Sequence, residues 1–119
     1  MAGTDGALGP EHRLAVYGTL APGRANAHVL ADIGGHWTTG TVRGRLVQLG
    51  WGAAQGYPGI LLGPEGDLVE VHVLVAENLP AHWERLDAFE GSGYRRRRVT
   101  VQTADGAVEA SIYEAVAEA

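Results

Sequence analysis

Residues 67–76 constrain the fold of this chain more than any other stretch. Val69, Val71, Val73 and Val75 fall on one face of an extended segment, and Leu68, Glu70, His72 and Leu74 fall on the other. Alternation with a period of two marks a strand. Other elements arrange themselves around it. Residues 13–17 read as a strand that runs into a Gly-rich turn over 18–23. A short helix is predicted over 27–33, closed by Gly34 and Gly35, and residues 38–49 look extended, with a turn or bulge at Gly40. Residues 50–59 form a Gly-rich connection, 60–62 a short strand and 63–66 a turn. A helix is predicted over 78–91. Two last strands, 94–103 and 107–113, flank Ala104-Asp105-Gly106, which carries the Asp-Gly hairpin signal. The order of strand, helix, several strands, helix and two strands predicts an α+β chain. Its expected form is a small, partly closed mixed β-barrel with two short helices outside. The 119 residues suit one domain with a single core. Residues 1–12 read as a loose leader, and 13–116 as the domain.

The second helix carries the most informative side chain. Pro80 suits its first turn and Gly91 the position just past its end. At about 100° per residue, Leu79, Trp83, Leu86 and Phe89 share one side. Glu90 projects near the centre of that apolar stripe, whereas Glu84 lies opposite and Asp87 at the margin. A carboxylate facing a core is costly unless it is partnered or has a job. The helix C-terminus also disfavours its charge. Both influences raise its pKa toward the range useful for proton transfer near neutrality. The plainer alternative is a frayed last residue whose side chain swings past Gly91 into water.

Composition removes whole mechanisms. Without Cys there is no disulfide, thiolate nucleophile or Cys-based metal site. All nine basic residues are Arg, so neither a Schiff-base Lys nor a P-loop is available. Of the two serines, Ser92 sits where a helix runs into a strand, the reverse of a nucleophile elbow. General acid–base work on Glu, Asp, His or Tyr is left. A net charge of −5 argues against nucleic acid or an anionic membrane as the main partner. No stretch approaches the ~20 apolar residues of a membrane helix and no secretory signal is visible, so a cytoplasmic location is expected. Residues 95–98 are four consecutive arginines. On a strand they alternate between two faces, and the chain is acidic overall, which speaks against a nucleic-acid site. Glu70 and His72 share a strand face. Metal ligation or a second acid–base pair is one reading of them, and a polar outer face the other.

The turn after the first strand, Gly18-Thr19-Leu20, can aim consecutive backbone N–H groups at one point, an anion-binding nest. By itself this is a common arrangement. Together with other blocks it forms a series: Val16-Tyr17-Gly18-Thr19-Leu20 with Pro22-Gly23, then Tyr57-Pro58, then Leu86-Asp87-Ala88-Phe89-Glu90-Gly91 followed by Tyr94 and Arg96, then Ile112-Tyr113. This series resembles the γ-glutamylcyclotransferase-like family, including its plant AIG2-like and bacterial γ-glutamylamine cyclotransferase branches, over residues 13–114.

The resemblance implies a small β-barrel with a cavity at its mouth, and a glycine turn that binds the α-amino acid end of a γ-glutamyl group. It also implies a Glu acid–base that maps onto Glu90. Tyr17, Gly18, Thr19, Leu20 and Tyr113 are the candidate substrate-binding residues. The expected reaction closes 5-oxoproline from a γ-glutamyl amine or peptide and releases a free amine, with no metal or organic cofactor. The expected partner is a small-molecule γ-glutamyl substrate, handled by a monomer or homodimer. Glutathione-specific relatives are usually longer, so the γ-glutamylamine type fits better. Where family members commonly have Gly-Glu-x-Tyr, this chain has Val69-Glu70-Val71-His72. Val69 removes space and His72 replaces a phenol, which implies a different leaving group or drifted activity. The competing expectation is a non-catalytic small-molecule-binding module of the same fold, because a fold alone does not establish an activity.

Overall fold

A computed structural model describes residues 9–17, 28–47, 59–91 and 93–115. Its strands are β1 (Arg13–Val16), β2 (His36–Val47), β3 (Gly59–Leu62), β4 (Asp67–Val75), β5 (Tyr94–Thr103) and β6 (Gly106–Ala115). Its α-helices are α1 (His28–Ala31) and α2 (Trp83–Glu90). The alternating segment is β4, and it lies where the pattern demands, between two partners. Along one edge it runs antiparallel to β2, from His36↔Val75 to Gly44↔Asp67. Along the other it pairs antiparallel with β1, from Arg13↔Val75 to Val16↔His72. β1 pairs in parallel with β6, and β6 forms a hairpin with β5. β5 returns to β2 through Thr41↔Gln102. The ring β2-β4-β1-β6-β5 is therefore a closed mixed barrel of the expected class, with β3 paired to β2 beside the seam.

Alternation along each strand divides the apolar residues between two cores. Ala15, Val42, Ile60, Val71, Val73, Val75, Val101, Ala110 and Ile112 fill the barrel. Leu14, Val16, Leu74 and Tyr113 point outward and are covered by Leu30, Ile33, Leu79, Trp83 and Leu86. The helical layer covers only one end of the outer wall. On β4, Leu74 is buried while Glu70, His72 and Leu68 are exposed.

Several boundaries differ from the sequence reading. The second helix is two pieces, a 3-10 turn Leu79–His82 followed by α2. Pro80 sits in the first of these, where its missing N–H is tolerated, and Ala81 N–H bonds the Asn78 carbonyl in the tighter i to i+3 pattern (3.0 Å). Gly40 is neither turn nor bulge, because the β2–β4 register passes through Gly40↔Val71 without interruption. Residues 10–12 are not loose. They form a 3-10 turn whose Pro10 carbonyl accepts Ser111 Oγ–H (2.9 Å) and whose Glu11 carbonyl accepts Trp83 Nε1–H (2.9 Å). Among the described residues no helix is long and apolar enough to cross a membrane.

Candidate active site

α2 is held by its buried face and stopped by its glycine. Trp83, Leu86 and Glu90 are its buried residues, at the i, i+3, i+7 spacing of one helical face. Gly91 ends the helix with φ +77° and ψ −172°, and its N–H bonds the Asp87 carbonyl. The helix therefore closes squarely at Glu90 and does not fray. Glu90 is 8% exposed, and among the described residues it has no hydrogen bond or ion pair. Burial pushes its pKa up to about 7. Its charge raises the pKa of Tyr17 and of Tyr113, so the carboxyl lies within electrostatic range of the end of β1 and of β6. The carboxyl thus lies on the side of the barrel where the first strand leaves its sheet.

Both candidate tyrosines have hydroxyls engaged within the protein. Tyr17 Oη donates to the Tyr113 carbonyl (2.7 Å) and accepts Ile60 N–H (3.1 Å), so it ties β3 to β6. Tyr113 is 5% exposed, and its hydroxyl donates to Asp87 Oδ1 (2.6 Å). Burial keeps both phenols well above their ordinary pKa. A cleft of about 500 Å³ opens next to this helix end, lined by Asp87, Gly91, Tyr94, Arg95, Arg96 and Tyr113; Glu90 and Tyr17 are not among its lining residues.

Gly18, Thr19 and Leu20 lie outside the described residues. Of the four consecutive arginines, Arg96 turns to the helix side and pairs with Asp87 (Nε to Oδ1, 3.2 Å). Its neighbour Arg97 turns the other way and pairs with Glu114 (3.1 Å). Strand alternation thus splits the run, and two of its members already have carboxylates. Glu70 and His72 are exposed on the outer wall and Val69 packs toward the barrel core; none of the three lines the cleft beside Glu90. Among the described residues no group of three His, Asp or Glu is placed to hold a metal. Asp87, at the margin of the helix's apolar stripe, is the residue that sequence reasoning does not bring to this site. Its one visible signal is its place a turn before Glu90 in the same block.

The fold is a closed mixed barrel with a carboxyl buried at a helix end, and among the described residues that carboxyl has no hydrogen-bond or ion-pair partner. The profile of the family described as gamma-glutamyl cyclotransferase, AIG2-like, matches residues 14–118, and the chain belongs to that family. No curated protein matches. Among solved structures, YkqA from Bacillus subtilis shares 30% identity over 87% of this chain with a TM-score of 0.67. The match covers 35% of YkqA, so this chain spans about a third of that protein's length. An AIG2-like protein from Mus musculus shares 26% identity, covering 91% of this chain and 79% of that one, with a TM-score of 0.71. A protein from Pyrococcus horikoshii described as uncharacterized shares 27% identity over 89% of this chain and 79% of its own, with a TM-score of 0.61. Family and fold together support a γ-glutamylcyclotransferase-like function.

Proposed function

We propose that the protein cyclises a γ-glutamyl amine or peptide to 5-oxoproline with release of a free amine, and that Glu90 is the acid–base. The observation that carries this reading is the state of Glu90, buried, without a partner among the described residues and with its pKa pushed up to about 7. In the reaction the substrate's α-amine attacks its own γ-carbonyl carbon. The new C–N bond closes a five-membered ring and the old amide C–N bond breaks. Nucleophile and electrophile share one molecule, so the protein's tasks are to fold the substrate and to move protons. Glu90 takes a proton from the α-ammonium and returns it to the departing nitrogen. A carboxylate with an ordinary pKa of about 4.3 is a weak base for an ammonium, and the raised pKa narrows that gap.

In this reading the backbone N–H groups of Gly18, Thr19 and Leu20 hold the substrate's α-carboxylate or the oxyanion formed at the γ-carbonyl. Tyr17 and Tyr113 frame the substrate with their rings. Their hydroxyls, held neutral and bonded, take no part in proton transfer.

The test is direct. Purified protein is incubated with γ-glutamyl amines, γ-glutamyl dipeptides and glutathione, and 5-oxoproline is measured. Turnover of at least one substrate is expected, with an acidic limb of kcat/KM near pH 7. Glu90→Gln is expected to lose at least a hundredfold in kcat with a melting temperature no lower than the parent's. Absence of product across the panel would overturn the reading and leave a binding module of this fold.

A further inference from the structure

Asp87 lies one helical turn before Glu90, and its carboxylate is gripped from two strands. Tyr113 on β6 donates to Oδ1 at 2.6 Å. Arg96 on β5 places Nε 3.2 Å from Oδ1 and donates through Nη2 to Oδ2 at 3.2 Å. The Arg96 guanidinium also lies over Trp83, 4.4 Å from the ring centre, and Trp83 packs edge-on against Tyr113. The Asp87 main chain takes part as well, because its carbonyl accepts Gly91 N–H (3.0 Å) and so closes the turn that carries Glu90. The side chain therefore ties the last turn of α2 to two strands of the barrel, at the residue whose main chain closes that turn. Glu90, in contrast, has no hydrogen bond to orient it among the described residues. An unpartnered carboxyl is aimed only by its backbone and by the groups that hold that backbone.

We propose that Asp87 is the positioning residue of this site: gripped by Tyr113 and Arg96, it holds the end of α2 so that Glu90 is presented to the substrate. The proposal rests on the assignment of Glu90 as acid–base. An ordinary surface ion pair does not look like this. The helix has one for comparison in Arg85–Asp32; its side chains are 42% and 64% exposed against 34% and 45% for Arg96 and Asp87, and the difference lies in the buried hydroxyl that joins the second pair. At Asp87 the same oxygen takes a donor from Tyr113, which is 5% exposed and itself accepts Tyr17 Oη–H at its carbonyl. The hydrogen-bonded chain runs from β3 through Tyr17 and Tyr113 to the helix. The ionisable groups around this helix end are Asp87 on α2, Tyr17 after β1, Tyr94, Arg95 and Arg96 on β5, and Tyr113 and Glu114 on β6. Asp87 and Arg96 oppose one another in charge, so deleting either leaves the other uncompensated near Glu90.

The experiment compares Asp87→Ala, Asp87→Asn and, as a control on the same helix, Arg85→Gln. Two readouts are taken: steady-state 5-oxoproline formation, and the titration of the Glu90 carboxyl followed by ¹³C NMR. Asp87→Ala is expected to lower kcat about tenfold or more, the scale of a misplaced catalytic group, with KM within about twofold. Asp87→Asn keeps an acceptor for Tyr113 and is expected to recover most of kcat. It removes a negative charge and leaves that of Arg96, so the Glu90 titration moves to lower pH, by about half a unit or more. Arg85→Gln is expected to change neither. Parental kcat in folded Asp87→Ala with an unmoved Glu90 titration in Asp87→Asn would overturn the proposal, as would an equal loss in Arg85→Gln. The titration needs no turnover and the Asn variant is near-isosteric. A failure of the acid–base reading, seen as no product from the parent protein, is therefore separable from a failure of this one.

Discussion

At the residue scale, Glu90 places activity and stability in opposition. Its pKa is 4.5 in the unfolded chain and about 7 in the native state, raised by burial. Between those values the native state holds a proton that the unfolded state has released. Stability contributed at this site is therefore intact below about pH 4.5, falls as pH rises, and is at its lowest above about pH 7. At about 1.4 kcal/mol per pKa unit, the penalty for ionising Glu90 in place is about 3 kcal/mol. Glu90→Gln removes the charge without changing shape. Urea melts should find it more stable than the parent by about 3 kcal/mol at pH 8 and indistinguishable at pH 4. Equal stabilities at both pH values would mean that the carboxyl reaches water. The residue was legible in the sequence because a helical projection needs only its own neighbours. Asp87 was not, because both its partners come from strands whose position relative to the helix no local pattern reveals. Tyr113 was visible as a residue but not as a partner of Asp87.

At the scale of the element, α2 depends on how it stops. Gly91 combines φ +77° with ψ −172°, a region nearly closed to residues with a Cβ. A Cβ built there meets nothing within 4 Å, so the cost of Gly91→Ala is conformational and not steric. It should lower stability by about 1–3 kcal/mol and lower kcat as well, because the strained turn adjoins Glu90. Gly63→Ala is the matched control, since its Cβ also meets nothing and its φ is not positive; chemical denaturation should leave it within about 0.5 kcal/mol of the parent. The C-terminal stop was readable from Glu90-Gly91. The break between Leu79–His82 and Trp83–Glu90 was not, because both pieces keep the same apolar spacing and differ only in which carbonyl each N–H selects. The turn over 18–20, expected from its composition to form a nest, lies outside the described residues.

For the whole molecule, the alternating strands told which side chains face inward but not which strands are neighbours. Two pairings made that difference. β1 meets β6 in parallel through Leu14↔Ser111 and Ala15↔Ile112, a contact between chain segments too far apart for local patterning to foresee. The barrel then closes where β2 and β5 touch at Thr41↔Gln102. Gly40 looked like a turn because glycine weakens a strand interior. Its actual role is close approach. A Cβ at Gly40 would lie 2.6 Å from the Gln102 carbonyl oxygen and 2.5 Å from Val101 Cγ1, and the first of these is backbone that cannot rotate away. Gly40→Ala should therefore push β5 off β2, costing about 1–3 kcal/mol by overpacking. Because β5 also carries Arg96, the displacement should reach the active site and reduce turnover beyond what the lost stability explains. Amide exchange locates the damage. Protection should fall at Val101 and Gln102 on the seam and persist at Val73 and Leu74, which lie between β1 and β2. A Gly40→Ala protein that melts and exchanges like its parent would show that the seam is not closed at this point, and that the barrel is held by the remaining pairings alone.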